Sequence, residues 1–199
     1  MKKVLLVLLL VLCMPLVAYA EGGFIGVGVS YGIDEFDIDD TAIAPFSVDA
    51  DDTYGVHLNA GYRWNQLAIG LEFEYLPGWE YAETQVITGI PVTLEIDGEL
   101  STIMGFVQFF PMPGTIEPYL KAGAGWMNGE IDMSFNVAGF PVVGSGDESD
   151  LCLGAGAGID FHVTDVVALG LSGNYTLGLN DMDNMRYWSL RAGATFYFP

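Results

Sequence analysis

The chain has 199 residues, enough for one domain, and carries 26 acidic against six basic residues for a formal net charge of −20. So acidic a surface repels phosphate and excludes nucleic acid as a partner, while it attracts cations. Half of the residues are hydrophobic, yet beyond the first twenty no apolar run reaches the ~20 residues that a spanning helix needs.

The chain opens as an export signal. Lys2 and Lys3 form a positive start, Val4 to Val17 is almost wholly apolar, and Ala18-Tyr19-Ala20 fits the small-x-small cleavage rule. We expect residues 1–20 to be removed and 21–199 to form the mature domain. Loss of the two lysines leaves four basic residues, Arg63, Lys121, Arg186 and Arg191, against 26 acids, a mature net charge of −22. One cysteine, Cys152, then remains, so no internal disulfide is available.

Alternation with period two governs the rest. The first crossing segment is expected near Phe24–Tyr31. In Thr53 to Trp64, Tyr54, Val56, Leu58, Ala60, Tyr62 and Trp64 form one face, and Thr53, Gly55, His57, Asn59, Gly61 and Arg63 the other. Asn65-Gln66 then turns the chain into Leu67–Tyr75, where Glu72 and Glu74 share the polar parity. Further segments are expected near Leu100–Phe110, Tyr119–Met127, Leu151–Phe161, Val166–Leu177 and Trp188–Phe198. Each is close to the ~9–11 residues that cross a bilayer at a tilt. Glycines crowd the polar faces at positions 26, 28, 123, 125, 154, 156 and 158, which suits the inside of a narrow barrel. Aromatic residues at segment ends suit two headgroup girdles.

Connections alternate in length. Short ones are expected at Asn65-Gln66, Pro111 to Glu117 and His162 to Asp165. Long ones are expected at about 32–52, 77–99, 128–150 and 178–186. This rhythm predicts an all-β fold, an eight-stranded antiparallel up-and-down transmembrane β-barrel with short periplasmic turns, long extracellular loops and both termini periplasmic. Ala44-Pro45-Phe46, Gly89-Ile90-Pro91-Val92 and Gly139-Phe140-Pro141-Val142 recur as Pro- and Gly-bearing loop tips. They read either as β-hairpins projecting beyond the membrane or as irregular loops.

Three stretches carry a resemblance: Pro118-Tyr119-Leu120-Lys121-Ala122-Gly123-Ala124-Gly125-Trp126, Gly154-Ala155-Gly156-Ala157-Gly158-Ile159-Asp160 and Arg191-Ala192-Gly193-Ala194-Thr195-Phe196-Tyr197-Phe198. The mature chain resembles the outer-membrane β-barrel family, which includes the transmembrane domain of outer membrane protein A and the opacity-type surface antigens. The resemblance implies a bacterial outer-membrane location, with lipid and lipopolysaccharide as surroundings. That family usually ends in an aromatic residue read by the barrel-assembly machinery; Phe198 stands there, followed by Pro199.

In lipid, charge on the outer face costs roughly 2–4 kcal/mol at mid-membrane. Arg63, Lys121, Arg191, Glu72, Glu74, Asp160 and His57 all fall on the inward parity, which predicts a lumen charge network. Lys121 is expected to pair with Asp160, Arg191 to meet Glu72 across the lumen, and His57 to face Glu74. The network reads as a plug or as a gated pore; an eight-stranded barrel is narrow enough for side chains to fill, and the plug is carried forward.

No catalytic residue is assigned. A lipid-modifying enzyme would need a nucleophile and a base at the outer rim. His162 is expected in a periplasmic turn, His57 lies in the lumen with no serine placeable beside it, and Cys152 has no assigned histidine. A further candidate is the acidic first loop, with Asp34, Glu35, Asp37, Asp39, Asp40, Asp49, Asp51 and Asp52, joined by Glu130, Asp132, Asp147, Glu148 and Asp150. Such density can hold divalent cations weakly, or it is a solvated charged surface. No specific metal site and no cofactor are expected. The reading is therefore a non-enzymatic membrane-anchored structural or surface-interaction protein, with a small-solute or hydrophobic-ligand channel as alternative and a lipid-modifying enzyme behind it.

Overall fold

Period-two alternation leaves each crossing segment with one apolar and one polar face, and a sheet so divided satisfies its backbone in lipid only by closing. The computed structural model describes residues 22–34, 52–87, 90–137, 140–182 and 185–198. It is a closed antiparallel barrel of eight strands in sequence order. The strands are β1 (Gly22–Asp34), β2 (Thr53–Trp64), β3 (Leu67–Ile87), β4 (Ile90–Phe109), β5 (Ile116–Val137), β6 (Phe140–Thr164), β7 (Val167–Gly178) and β8 (Arg186–Phe198). Closure is made by β1 against β8, from Gly23 opposite Phe198 to Asp34 opposite Tyr187.

Burial follows parity. On β2, Tyr54, Val56, Leu58, Tyr62 and Trp64 are exposed on the outside, while Thr53, His57 and Arg63 are buried within. The same division runs through β7, where Leu169 and Leu171 face out and Asn174 and Thr176 face in. Leu171 is 62% exposed and lies beside Ile159 and Ala192 on the neighbouring strands. Leu171→Arg is therefore expected to cost about 2–4 kcal/mol, measured by denaturant unfolding in phospholipid vesicles. An unchanged midpoint would mean that this face is not in hydrocarbon.

Close approach explains part of the glycine content. A Cβ at Gly125 would stand 1.9 Å from the Ile103 carbonyl oxygen, a backbone atom that cannot swing aside, and one at Gly158 would meet the Tyr119 ring at 2.4 Å. Glycine leaves room for neighbouring strands and for the large lumen side chains.

Two short turns differ from expectation. The connection after β4 ends at Thr115, so Ile116 and Glu117 belong to β5, with Glu117 opposite Asp160. Pro118 sits at the third position of β5, two residues before the ladder to β4 begins at Leu120, so the strand is paired on one side only there. The connection after β6 is Asp165-Val166, so His162 is a strand residue. Asn65-Gln66 turns as expected, with Asn65 at a φ of 50°; a two-residue hairpin loop with positive φ needs Asn or Gly there.

At the other end the long connections resolve. Segments 77–99 and 128–150 are strand through most of their length. β3 and β4 pair out to Ile87 opposite Ile90, and β5 and β6 out to Val137 opposite Phe140. Since β4 also pairs with β5 up to Val92 opposite Val137, the two hairpins fuse into one four-stranded sheet beyond the barrel rim. Of the two readings of these tips, the hairpin is correct at the second and third. Ala44-Pro45-Phe46 lies outside the described residues, as do the signal segment, Glu35, Asp37, Asp39, Asp40, Asp49, Asp51 and Pro199. Met182 closes the rim on the remaining side, from a short 3-10 turn at Asn180–Met182.

Candidate functional site

Inward side chains fill the lumen in layers. Nearest the projecting sheet, Leu76, Leu100, Met104, Met127, Cys152, Met182 and Tyr187 form a dry cluster. Cys152 is a free thiol buried in it, in the middle of β6. Flexible methionines suit so irregular a space.

Beneath lies a buried ion-pair layer. Arg191 grips Glu74 with two nitrogens, Nε to Oε1 at 2.8 Å and Nη2 to Oε2 at 2.6 Å, and reaches Glu72 with Nη1 at 3.0 Å. Lys121 Nζ donates to the same Glu72 oxygen at 2.6 Å. The Tyr187 hydroxyl donates to Glu74 at 2.9 Å and lies 3.1 Å from the Thr102 hydroxyl. Two carboxylates thus face two cations in fork geometry, so the layer is neutral. β2 and β3, joined by the tight Asn65-Gln66 turn, set His57 opposite Glu74; β8 brings Arg191 across the lumen to Glu72.

The expected Lys121–Asp160 pair does not form. Register is the reason: Lys121 stands opposite Gly156, while Asp160 stands opposite Glu117. Four residues at about 3.3 Å each separate the two levels by ~13 Å along the strand. Lys121 instead reaches past β4 to Glu72 on β3, and Asp160 makes no ion pair among the described residues.

A second apolar layer follows, with Phe24, Phe106, Phe110, Tyr119 and Tyr197. Below it Arg63 meets Glu117, both at 0% side-chain exposure, through Nη1 to Oε2 at 2.6 Å and Nη2 to Oε1 at 3.0 Å. Arg63 Nε also donates to the Asn65 carbonyl at 2.9 Å, and its guanidinium stacks 4.0 Å from the Phe110 ring centroid. His162 Nε2 lies 2.8 Å from Glu117, which accepts the Gly114 amide as well. Glu117 escaped the sequence reading because it was placed in a turn. Its parity with Tyr119 and Lys121, and a lumen arginine at the end of β2 lacking a partner at its level, were the signals.

Between the two layers a cavity of about 40 Å³ remains, lined by His57, Asn59, Gln108, Asp160, Ser172 and Thr195 among others. That is space for on the order of three waters. His57 does have a serine beside it, contrary to expectation: Ser30 Oγ lies 3.5 Å from Nδ1. Both are buried and inward, and neither reaches the lipid-facing side.

The outer face of the projecting sheet is acidic. Glu95, Asp97 and Glu99 on β4, Glu130 and Asp132 on β5 and Asp147 on β6 all point outward and are exposed. Several stand directly opposite one another: Asp97 and Asp132, Glu99 and Glu130, Glu130 and Asp147. The sheet segments hold no lysine or arginine. Asp34 ends β1, and Asp52 accepts a short hydrogen bond from the Tyr31 hydroxyl. Among the described residues no three His, Cys, Asp or Glu side chains converge as metal ligands.

Comparison with solved structures finds the same architecture repeatedly. Neisserial surface protein A matches at a TM-score of 0.60 and 19% identity, over 91% of this chain and 100% of its own. Ail, the attachment invasion locus protein of Yersinia pestis, matches at 0.57 and 17%, over 89% and 99%. OprG, an outer membrane protein of Pseudomonas aeruginosa, matches at 0.52 and 14%, over 91% and 98%. At these identities the likeness is one of fold. A comparison with curated proteins finds no match. The model of the outer membrane protein β-barrel domain matches residues 4–198, and the chain belongs to that family.

Proposed function

We propose that this protein is a sealed outer-membrane anchor that presents its projecting sheet outside the cell, without catalysing a reaction. The observation that carries this reading is the packing of the lumen: two buried ion-pair layers and two apolar layers occupy it, and the cavity between the ion-pair layers holds about 40 Å³. An even strand count sets both termini on one side with the short turns; on this reading that side is the periplasm and the sheet lies outside. Residues 1–20 serve as the export signal, and the strand ending at Phe198 is offered to the assembly machinery. Ser30 and His57 are enclosed by the lumen, so no lipid or soluble substrate reaches them. They act as filling.

The charge of the sheet selects the partner's sign. Ail has been crystallised with the heparin analogue sucrose octasulfate, a polyanion. A surface of net charge −22 repels such a ligand and favours cations or basic protein segments. Divalent cations gathered by these carboxylates would link the sheet to lipopolysaccharide phosphates.

Planar-bilayer recording tests the seal. The purified mature protein should show no steady single-channel openings, and Glu72→Gln should create none of defined size. Persistent openings whose conductance responds to Glu72→Gln would replace this reading with that of a small-solute channel.

A further inference from the structure

Below the rim the inward charges do not cancel. Among the described residues of the lumen three cations, Arg63, Lys121 and Arg191, face four carboxylates, Glu72, Glu74, Glu117 and Asp160. The upper layer is neutral in itself, with Lys121 and Arg191 against Glu72 and Glu74. The lower layer is neutral too, with Arg63 against Glu117. Asp160 is left over. It is 7% exposed, and no hydrogen bond or ion pair among the described residues reaches its carboxylate.

A buried charge is unfavourable unless one of opposite sign lies beside it. The arginines that share a cavity with Asp160 are already committed. Arg63 gives both terminal nitrogens to Glu117 and Nε to the Asn65 carbonyl, and Arg191 is held by Glu72 and Glu74. The imidazoles of His57 and His162 add charge only when protonated, and His162 Nε2 lies against Glu117. At about pH 8 an ordinary imidazole is neutral, so the imbalance stands there.

Asp160 lines the cavity of about 40 Å³ between the layers, and Asn59, Gln108, Ser172 and Thr195 line the same space. Its carboxylate lies over Gly170, the residue opposite on β7, where a Cβ would come within 2.7 Å of Oδ1. A carboxylate, two amides and two hydroxyls form a set of hard oxygen donors, suited to alkali and alkaline-earth cations and not to soft metals. Charge decides between those two classes. One monovalent ion brings the lumen to neutrality, whereas a divalent ion leaves a positive excess between two arginines. Size agrees: room for on the order of three waters admits a small alkali ion with one or two of them. Magnesium dehydrates reluctantly and keeps several waters of its own.

We infer that the cavity beside Asp160 is a monovalent-cation site, filled by sodium as the barrel closes. Asp160 supplies the charge, and the amide and hydroxyl oxygens around the cavity complete the shell. The ion is then a structural element of the barrel, joining the two ion-pair layers without passing through them. This inference rests on the closed lumen of the proposed anchor, yet the two fail separately. Planar-bilayer recording reports the seal, and ion-linked folding reports the site.

The mature protein is unfolded and refolded by urea in phosphatidylcholine vesicles at about pH 8, in the chloride of sodium, potassium or choline at one ionic strength. Choline is too large for the cavity, so it screens the acidic surface without entering. The folding equilibrium constant is expected to be about tenfold higher in sodium than in choline, the gain when the ion stands near ten times its dissociation constant. Asp160→Asn keeps the shape and removes the charge. It should lose that difference, and in choline it should be at least as stable as the parent. Thr195→Val removes one hydroxyl oxygen and leaves the carboxylate, so it should reduce the sodium gain without abolishing it. Heat-modifiable gel migration reports that each variant has folded. Equal sodium dependence in the parent and in Asp160→Asn would assign the effect to the exposed acids and overturn the inference. So would a parent indifferent to sodium; if acid stabilised it instead, a proton on Asp160 would be the occupant. A gain that follows the anion, chloride against gluconate, would make the arginines the hosts and would overturn it as well.

Discussion

Arg191→Ala is expected to destabilise the folded barrel by about 3–5 kcal/mol, the cost of breaking a buried ion pair by removing one partner. The substitution strips Glu74 of both guanidinium contacts and Glu72 of one, in a layer where all three residues are at most 4% exposed. Lys121 still neutralises Glu72, so the uncompensated carboxylate is Glu74, left with neutral donors, the Tyr187 and Ser30 hydroxyls. Arg191→Lys should recover little, since an ammonium cannot span two carboxylates as a planar fork does. The discriminating variant is Arg191→Met with Glu74→Gln. It removes one charge of each sign and leaves the Lys121–Glu72 pair intact, and it should regain most of the loss. Tryptophan-monitored urea unfolding in vesicles measures all three. Were Arg191→Ala as stable as the parent, water would have to reach this layer freely, and the sealed lumen would be lost as an explanation.

Parity was legible in the sequence because lipid enforces it. A charge on the outer face of β5 or β8 is expensive, so Lys121 and Arg191 reveal their direction from spacing alone. The His57–Glu74 register was legible too, because a two-residue turn at Asn65-Gln66 leaves one way to count. Contacts across the lumen were another matter. Which inward residue meets which depends on strand stagger around the whole barrel and on how far each side chain reaches. Lys121 therefore passed over Asp160, two inward positions along the neighbouring strand, for Glu72 on β3. Strand ends were hidden for a different reason. The turn before β5 was drawn as far as Glu117, which kept that residue out of the lumen reading, while at the second and third long connections the spacing left hairpin and irregular loop both open. Alternation also weakens above the rim: hydrocarbon no longer selects one face there, so acids occupy the outward positions that leucines hold below.

Arg63→Ala should likewise cost about 3–5 kcal/mol. Here the loss includes a bidentate contact with Glu117, the hydrogen bond to the Asn65 carbonyl that braces the β2–β3 turn, and the stack on Phe110. His162 and the Gly114 amide keep hold of Glu117, which places the expected value toward the lower end. Arg63→Met with Glu117→Gln should restore part of it but not the turn brace, unlike the corresponding exchange at Arg191. The more searching measurement combines the two single substitutions. Arg63 bonds Glu117 and Asn65; Arg191 bonds Glu72 and Glu74; they share no partner. An aromatic layer with Phe106, Tyr119 and Tyr197 lies between them. Sites that are independent in this way add to within about 0.5 kcal/mol. Additive losses would make the lumen two separate closures, either of which keeps the barrel shut when the other fails. A coupling of 1 kcal/mol or more, roughly what contacting networks show, would make it one polar column through the cavity beside Asp160, and a column of that kind is what a conducting path would need.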